Sequence, residues 1–273
     1  MTTMHVGSLE LTVVSDGGLA LDPNRIFGRV DEADWRPVAN MDEHGMVQAG
    51  LNCVLIRSGD RRILLDTGGG AKLAEERGQH CGRILQSLAS LGVSPDQIDT
   101  VVISHAHWDH AGGASVPSGD RWVPTFPRAS YWLWRGEWEY WMNPDLADRP
   151  PFLDDVLPPL VEHNRLELAE SEVEVAPGVR LIAAPGHTPG HLCVALTAGS
   201  EMAVYTGDMF HHPAQIEHPE WSPLFDVLPE MSAETRRTIF ERARREGHVL
   251  LTAHLPTPGI VRLPAGGGIE RLA

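Results

Sequence analysis

One stretch limits what this chain can fold into more than any other: Thr100 to Gly113, which reads TVVISHAHWDHAGG. It opens with Val101, Val102 and Ile103, consecutive β-branched residues that suit a strand buried on both faces. Ser104 ends the run, and His105, His107, Asp109 and His110 follow within six residues. On extended chain, residues two apart point the same way, so His105 and His107 can grip one ion together. Asp109 and His110 are neighbours where the chain must turn, so they face a second position. Gly112 and Gly113 let the backbone pass close by without side-chain clash. Imidazole and carboxylate are ligands that zinc and similar ions take, so the stretch reads as a metal site rather than as a polar loop.

The rest of the chain is compatible with an enzyme built around such a site. Its 273 residues, 42% hydrophobic and 22% charged, can bury a core as one domain spanning 1–273. The formal charge of −15 argues against nucleic acid, whose binding depends on neutralising phosphates. The three cysteines, Cys53, Cys81 and Cys193, form neither a disulfide framework nor a CxxC. Cys53 and Cys193 fall in expected strands, where core packing is their role. The N-terminal MTTMHVGSLELTVVSDG has no basic segment followed by an apolar one, so no signal peptide is expected and the expected location is the cytoplasm. No apolar run approaches ~18 residues, so no membrane span is expected.

Patterning gives the remaining elements. A first strand is expected at Leu9–Val14, with a turn at Asp16–Gly18. Residues 20–46 lack periodicity and are expected as a long loop over the active site, with Phe27 and Trp35 against a substrate. Two strands, 51–56 and 63–65, form a hairpin that ends in Asp66-Thr67-Gly68-Gly69-Gly70, which carries no phosphate-binding pattern. Ile84, Leu85, Leu88 and Leu91 have helical spacing, and residues 116–127 read as a loop. Trp134, Trp138 and Trp141 fall on one face of an expected helix over 131–142, and Pro158-Pro159 should end another over 152–157. Further strands are expected at 165–168, 172–175, 179–183, 192–196, 202–206 and 249–252, with a helix capped by Ser232 running to Glu246. Polar groups follow four of the strands: after Ile103, after Ala183 (Pro-Gly-His187-Thr-Pro-Gly-His191), after Thr206 (Gly-Asp208) and after Thr252 (Ala-His254). The hairpin IRSGDRRILLDTGGG is weakly echoed by LTAGSEMAVYTGDM.

The motif H-x-H-x-D-H followed by Gly-Gly, with the spacing of the later signals, resembles the metallo-β-lactamase fold superfamily along most of the chain. That resemblance implies an α/β fold, a four-layer αββα sandwich of two mixed sheets with helices outside. It implies that His105, His107 and His187 hold one ion, that Asp109, His110 and His254 hold a second, and that Asp208 bridges both. It makes the Asp66 turn a support for the centre and His191 a residue that supports ligands rather than binding metal. His211 stands three past Asp208; the phrase GDMFHHPAQ, Trp221, Asp226 and the ending AHLPTPGIVRL resemble the acyl-homoserine lactonase and methyl-parathion-hydrolase-like group. The implied activity is that of a dinuclear metal-dependent hydrolase using a metal-bridging hydroxide, with Asp109 or Asp208 moving a proton and His211 touching the substrate. Lactones come first as substrates and phosphotriesters as a side activity. The cofactors implied are two divalent ions, Zn2+ first, with Fe, Co or Mn as alternatives. The partner is a small ester-like molecule, with neither nucleic acid nor membrane, and homodimerisation is compatible. The competing readings are a glyoxalase-type thioesterase and a mononuclear-iron sulfur dioxygenase.

Overall fold

Strands here carry apolar residues on both faces, and the two faces find different covers. Leu64 and Val101 pack outward against Leu73, Ile84, Leu88, Leu153, Val156 and Leu160. Their neighbours Ile63, Leu65 and Val102 pack inward against Leu181, Val194, Tyr205 and Leu251 of a second sheet. On the far side of that sheet, Cys193, Val204 and Leu250 meet Phe240 and Ala243 of the helix Pro229–Glu246. The period-two alternation of a strand thus produces four layers, helices outside and two sheets within. The architecture is the expected αββα sandwich, seen in a computed structural model that describes residues 2–272. Met1 and Ala273, the outermost residues of the expected single domain, lie outside the described residues.

The first sheet joins β1 (Thr2–Val6), β2 (Leu9–Leu21), β3 (Val47–Ser58), β4 (Arg61–Leu65), β5 (Thr100–Val102), β8 (Ser130–Trp134) and β9 (Leu166–Ala169) in that order; β6 (Ser115–Ser118) and β7 (Arg121–Pro124) form a separate hairpin. The second sheet joins β10 (Val173–Ala176), β11 (Val179–Ala183), β12 (Leu192–Ala198), β13 (Glu201–Tyr205), β14 (Val249–Leu251), β15 (Ile260–Arg262) and β16 (Glu270–Arg271). Each begins with four antiparallel strands, and the fourth pairs in parallel with a strand from further along the chain: β4 with β5, β13 with β14. The two hairpins that echo each other in sequence, β3–β4 and β12–β13, therefore hold the same place in their sheets. Among the described residues no helix is long and apolar enough to cross a membrane.

Several expectations are corrected. The strand expected first is the second, preceded by β1, and it runs on through Asp16–Gly18, because a register shift between Ser15 and Gly17 absorbs the irregularity and Asp16 turns inward. Residues 20–46 include the short helices Pro23–Phe27 and Glu32–Trp35, capped by Asp22 and Asp31. Phe27 and Trp35 stack on each other at 5.4 Å between centroids and are buried with Ile26, Ala39 and Val47 in a small core of their own. They do not wall the pocket; Leu21, Asp22, Arg25 and Met46 from this segment do. The tryptophan run is split at Trp134, where β8 passes into the helix Arg135–Trp141. Trp132 and Trp134 consequently face the core between the sheets, and Trp138 and Trp141 the outer one. Pro158 starts a helix, Pro158–Glu162, rather than only ending one. The last long helix begins at Pro229, not at Ser232. Leu85 and Leu91 are exposed despite their spacing.

Candidate metal centre

The centre forms where four strands stop at one edge of the paired sheets. After β4 comes Asp66, after β5 come His105 to His110, after β13 comes Asp208, and after β14 comes His254. The loop after β11 adds His187. Close backbone approach requires the glycines of the motif: a Cβ on Gly112 would lie 2.3 Å from the Gly69 carbonyl oxygen, and one on Gly113 2.2 Å from that of Thr67. Thr67 in turn donates through N and Oγ1 to the His110 carbonyl, both at 2.8 Å, locking the Asp66 turn to the ligand loop.

Two sets of side chains converge here. In the first, His187 Nε2 lies 3.2 Å from His105 Nε2, 2.9 Å from His107 Nδ1 and 3.3 Å from Asp208 Oδ2. In the second, the Nε2 atoms of His110 and His254 are 3.3 Å apart, lie 2.8 and 2.9 Å from Asp208 Oδ1, and are 3.7 and 3.6 Å from Asp109 Oδ2. The two oxygens of Asp208 thus face different sets.

The outer nitrogens decide which tautomers are present. His110 Nδ1 donates to Asp66 Oδ2 at 2.7 Å, His187 Nδ1 to Asp226 Oδ1 at 2.9 Å, and His254 Nδ1 to the Gly50 carbonyl at 3.0 Å. His105 Nδ1 donates to Ser104 Oγ at 3.1 Å, which itself donates to Asp66 Oδ2. With those protons outside, the inward Nε2 atom of each ring is a bare lone pair whenever the ring is neutral. Lone pairs and carboxylate oxygens at these separations repel unless positive charge lies between them. Asp208 Oδ1 is also buried with no hydrogen bond. Burial drives His105 and His107 well below the ordinary imidazole range. Burial acts the same way on His110 and His187, but the carboxylates around them outweigh it, raising His110 well above that range and His187 to about 9. The carboxylates demand cationic charge at the centre, met by protons on those rings or by divalent ions on their converging nitrogens.

Sequence comparison agrees with this geometry. A profile described as "Metallo-beta-lactamase superfamily" matches residues 49–254, most of the chain. The chain belongs to the metallo-beta-lactamase superfamily. Its relatives in that superfamily include the N-acyl homoserine lactonase AiiA of Bacillus thuringiensis subsp. kurstaki, 25% identical over 218 residues that cover 74% of this chain and 80% of the relative. Among solved structures, the dizinc quorum-quenching lactonase AidC superposes with a TM-score of 0.83 at 26% identity, covering 98% of this chain and 95% of that one. A probable metal-dependent hydrolase from Staphylococcus aureus shares the fold with a TM-score of 0.87 at 23% identity, covering 98% and 97%.

Around the superfamily motif lie residues that sequence reasoning passed over or placed only loosely. Asp66, held at a left-handed φ of 57°, accepts from Ser104 N and Oγ, His110 Nδ1 and Tyr205 Oη. Glu137 is fully buried and accepts from Ala106 N, Trp141 Nε1, Thr188 Oγ1 and Gly190 N, tying the first ligand loop to the second. Its place among four tryptophans was its one visible signal, and Glu139, two residues on, shares that place. Asp16 ties in Gly69, Gly82 and Ile84 through their backbone N–H groups, and burial pushes its carboxyl up to about 6. Arg236, buried, donates to Asp226 Oδ2 at 3.3 Å and to Ser232 and Ser222 hydroxyls, so the partner of His187 is itself held.

His191 has both nitrogens engaged, Nδ1 with the Ala184 carbonyl and Nε2 with the Asp208 N–H. His211 stacks on His254 at 5.0 Å and places Nε2 3.0 Å from Asp208 Oδ2. Burial pushes His211 down to about 4, so its neutral ring donates through Nε2, and its buried Nδ1 has no partner. A pocket of about 540 Å³ opens onto His107, Asp109, Asp208, His211 and His254. Leu19, Leu21, Met46, Phe152 and Phe225 supply apolar wall.

Proposed function

We propose that the chain is a dinuclear metal-dependent hydrolase of the cytoplasm that opens lactone rings, of the acyl-homoserine type and hence quorum-quenching, with phosphotriester cleavage as a side activity. The observation that carries this reading is Asp208, whose Oδ2 faces the set His105, His107 and His187 while Oδ1 faces His110 and His254 beside Asp109. Zinc is the first choice of ion, with Fe, Co or Mn suited to the same imidazole-rich set. Ions in these positions supply Lewis acidity and a nucleophile from water at neutral pH.

The chain's own residues do the rest. The apolar wall accepts an acyl chain and excludes water from it. His211 steadies Asp208 through Nε2–H at Oδ2. Asp109 borders the pocket, its Oδ2 standing farther from the ring nitrogens than the oxygens of Asp208, so it is the better carrier of a proton to the leaving oxygen. A lactone suits this arrangement because its ring exposes the carbonyl and keeps both product groups tethered. The AiiA and AidC relatives support the substrate class.

A pH-stat screen of metal-loaded protein against lactones, esters, thioesters, β-lactams and phosphotriesters tests this. An acyl-homoserine lactone should be opened with one proton released per turnover. Efficient thioester or β-lactam cleavage without lactone opening would contradict the lactonase reading and leave only the hydrolase class.

A further inference from the structure

The pocket wall contains two cations that neither the metal centre nor the fold employs. Arg77 follows the helix Ala71–Glu76, and its guanidinium carbon lies 4.9 Å from the ring centroid of Trp108 and 5.9 Å from that of Phe152. Arg25, in the helix Pro23–Phe27, sits 5.9 Å from the ring of Phe225. All five residues line the pocket. Trp108 stands between His107 and Asp109, and Phe225 packs against His211 at 4.7 Å, so both aromatic supports adjoin the centre.

Carboxylates are plentiful, 37 against 22 basic residues, yet among the described residues neither guanidinium has an ion pair or a side-chain hydrogen bond. Of the pocket's other polar groups outside the metal centre, Asp22 spends Oδ1 on Asn24 N and Nδ2, and Gln79 is uncharged. A guanidinium stacked on an aromatic face keeps its planar fork of donors free at the edge, the geometry that receives a carboxylate. Leu19, Leu21, Met46, Phe152 and Phe225 give the same pocket its apolar wall.

We infer that this pocket selects esters or lactones that carry a negative charge, a carboxylate or similar anion, away from the bond to be cleaved, and that Arg25 and Arg77 are the residues that recognise it. The inference rests on the hydrolase reading but not on the choice of acyl-homoserine lactone, which is uncharged.

The test compares a matched pair on metal-loaded protein: the para-nitrophenyl monoester of glutaric acid, with a free carboxylate at the acyl end, against para-nitrophenyl pentanoate, both corrected for uncatalysed hydrolysis. The wild-type ratio of kcat/KM should favour the anionic ester and decline as salt is raised, since these cations are exposed. Arg25→Gln and Arg77→Gln should each lower that ratio about tenfold, and Lys at either position should restore part of it. Arg61→Gln, at the exposed end of a hairpin, should leave it where it was. A second readout needs no turnover: calorimetric titration with hexanesulfonate, a poor metal ligand, and with hexanol. Hexanesulfonate should bind more tightly than hexanol, and each Gln variant should weaken it about tenfold. Ester cleavage with a ratio that neither variant nor salt changes would overturn the inference and leave the hydrolase standing. Arginine-dependent hexanesulfonate binding with no cleavage of these esters or of any substrate in the pH-stat screen would keep the anion site and sink the hydrolase. Equal binding of hexanesulfonate by wild type and both variants would overturn it whatever the esters show.

Discussion

Asp208 is the residue on which the centre turns. Its oxygens serve two ligand sets, its N–H is held by His191 and its Oδ2 is touched by His211. Asp208→Ala should therefore reduce bound metal and cut activity by at least about a hundredfold, as loss of a group acting on both ions would. His212 follows it by only four residues but lies with its ring 5.1 Å from Phe27, accepting from Ala214 N. His212→Ala should keep its metal and lose stability instead. Elemental analysis of the two purified variants checks this; equal metal loss in both would contradict the proposal that Asp208 bridges. The candidate ligands His105, His107, Asp109 and His110 were legible as a cluster because they crowd into six residues, and the structure brings them together with His187, Asp208 and His254. Asp16, Glu137 and Asp226 were not read as partners, because those they hold lie far along the chain: 53 residues for Asp16 to Gly69, 51 for Glu137 to Thr188, 39 for Asp226 to His187. A buried carboxylate has no local signature when its hydrogen-bond donors arrive from other strands.

At the scale of elements, strands in the sheet interiors were readable because β-branched and apolar runs mark them. Val179–Ala183 has the bounds expected, and the β3–β4 hairpin forms where expected, turning at Ser58-Gly59-Asp60. The segment 20–46 was misread because its helices are only five and four residues long, too short to show a period. What stabilises them is a small core that pattern counting does not see. Phe27 is fully buried there, between Trp35, Trp221 and His212. Phe27→Ala should cost about 3–5 kcal/mol, the range for removing a buried aromatic ring. Denaturant unfolding would measure it. A loss under about 1 kcal/mol, together with altered substrate selectivity, would return Phe27 to the pocket wall.

Across the whole molecule, two sheets of the same strand scheme present their ends at one edge, and buried charge holds that edge together. Asp226 shows what this does to stability. Burial alone would raise its carboxyl, but the hydrogen bond from His187 and the charge of Arg236 outweigh it and hold it at about 2, below the ordinary 3.8. A depressed carboxyl stabilises the fold fully above its unfolded value and loses that contribution as pH falls toward the folded one. The shift corresponds to about 2 kcal/mol. In metal-free protein, the stability gap between wild type and Asp226→Asn should narrow by about that amount as pH falls from 4 to 2. A gap independent of pH would show that Asp226 contributes only packing.

The central claim is that one carboxylate joins two metal positions, and metal content tests it most directly. Protein purified without chelator, quantified by elemental analysis and corrected for active fraction, should hold two divalent ions per chain, and stripped protein should regain full lactone hydrolysis only as the second equivalent binds. Full activity at a firm value of one ion per chain would contradict it.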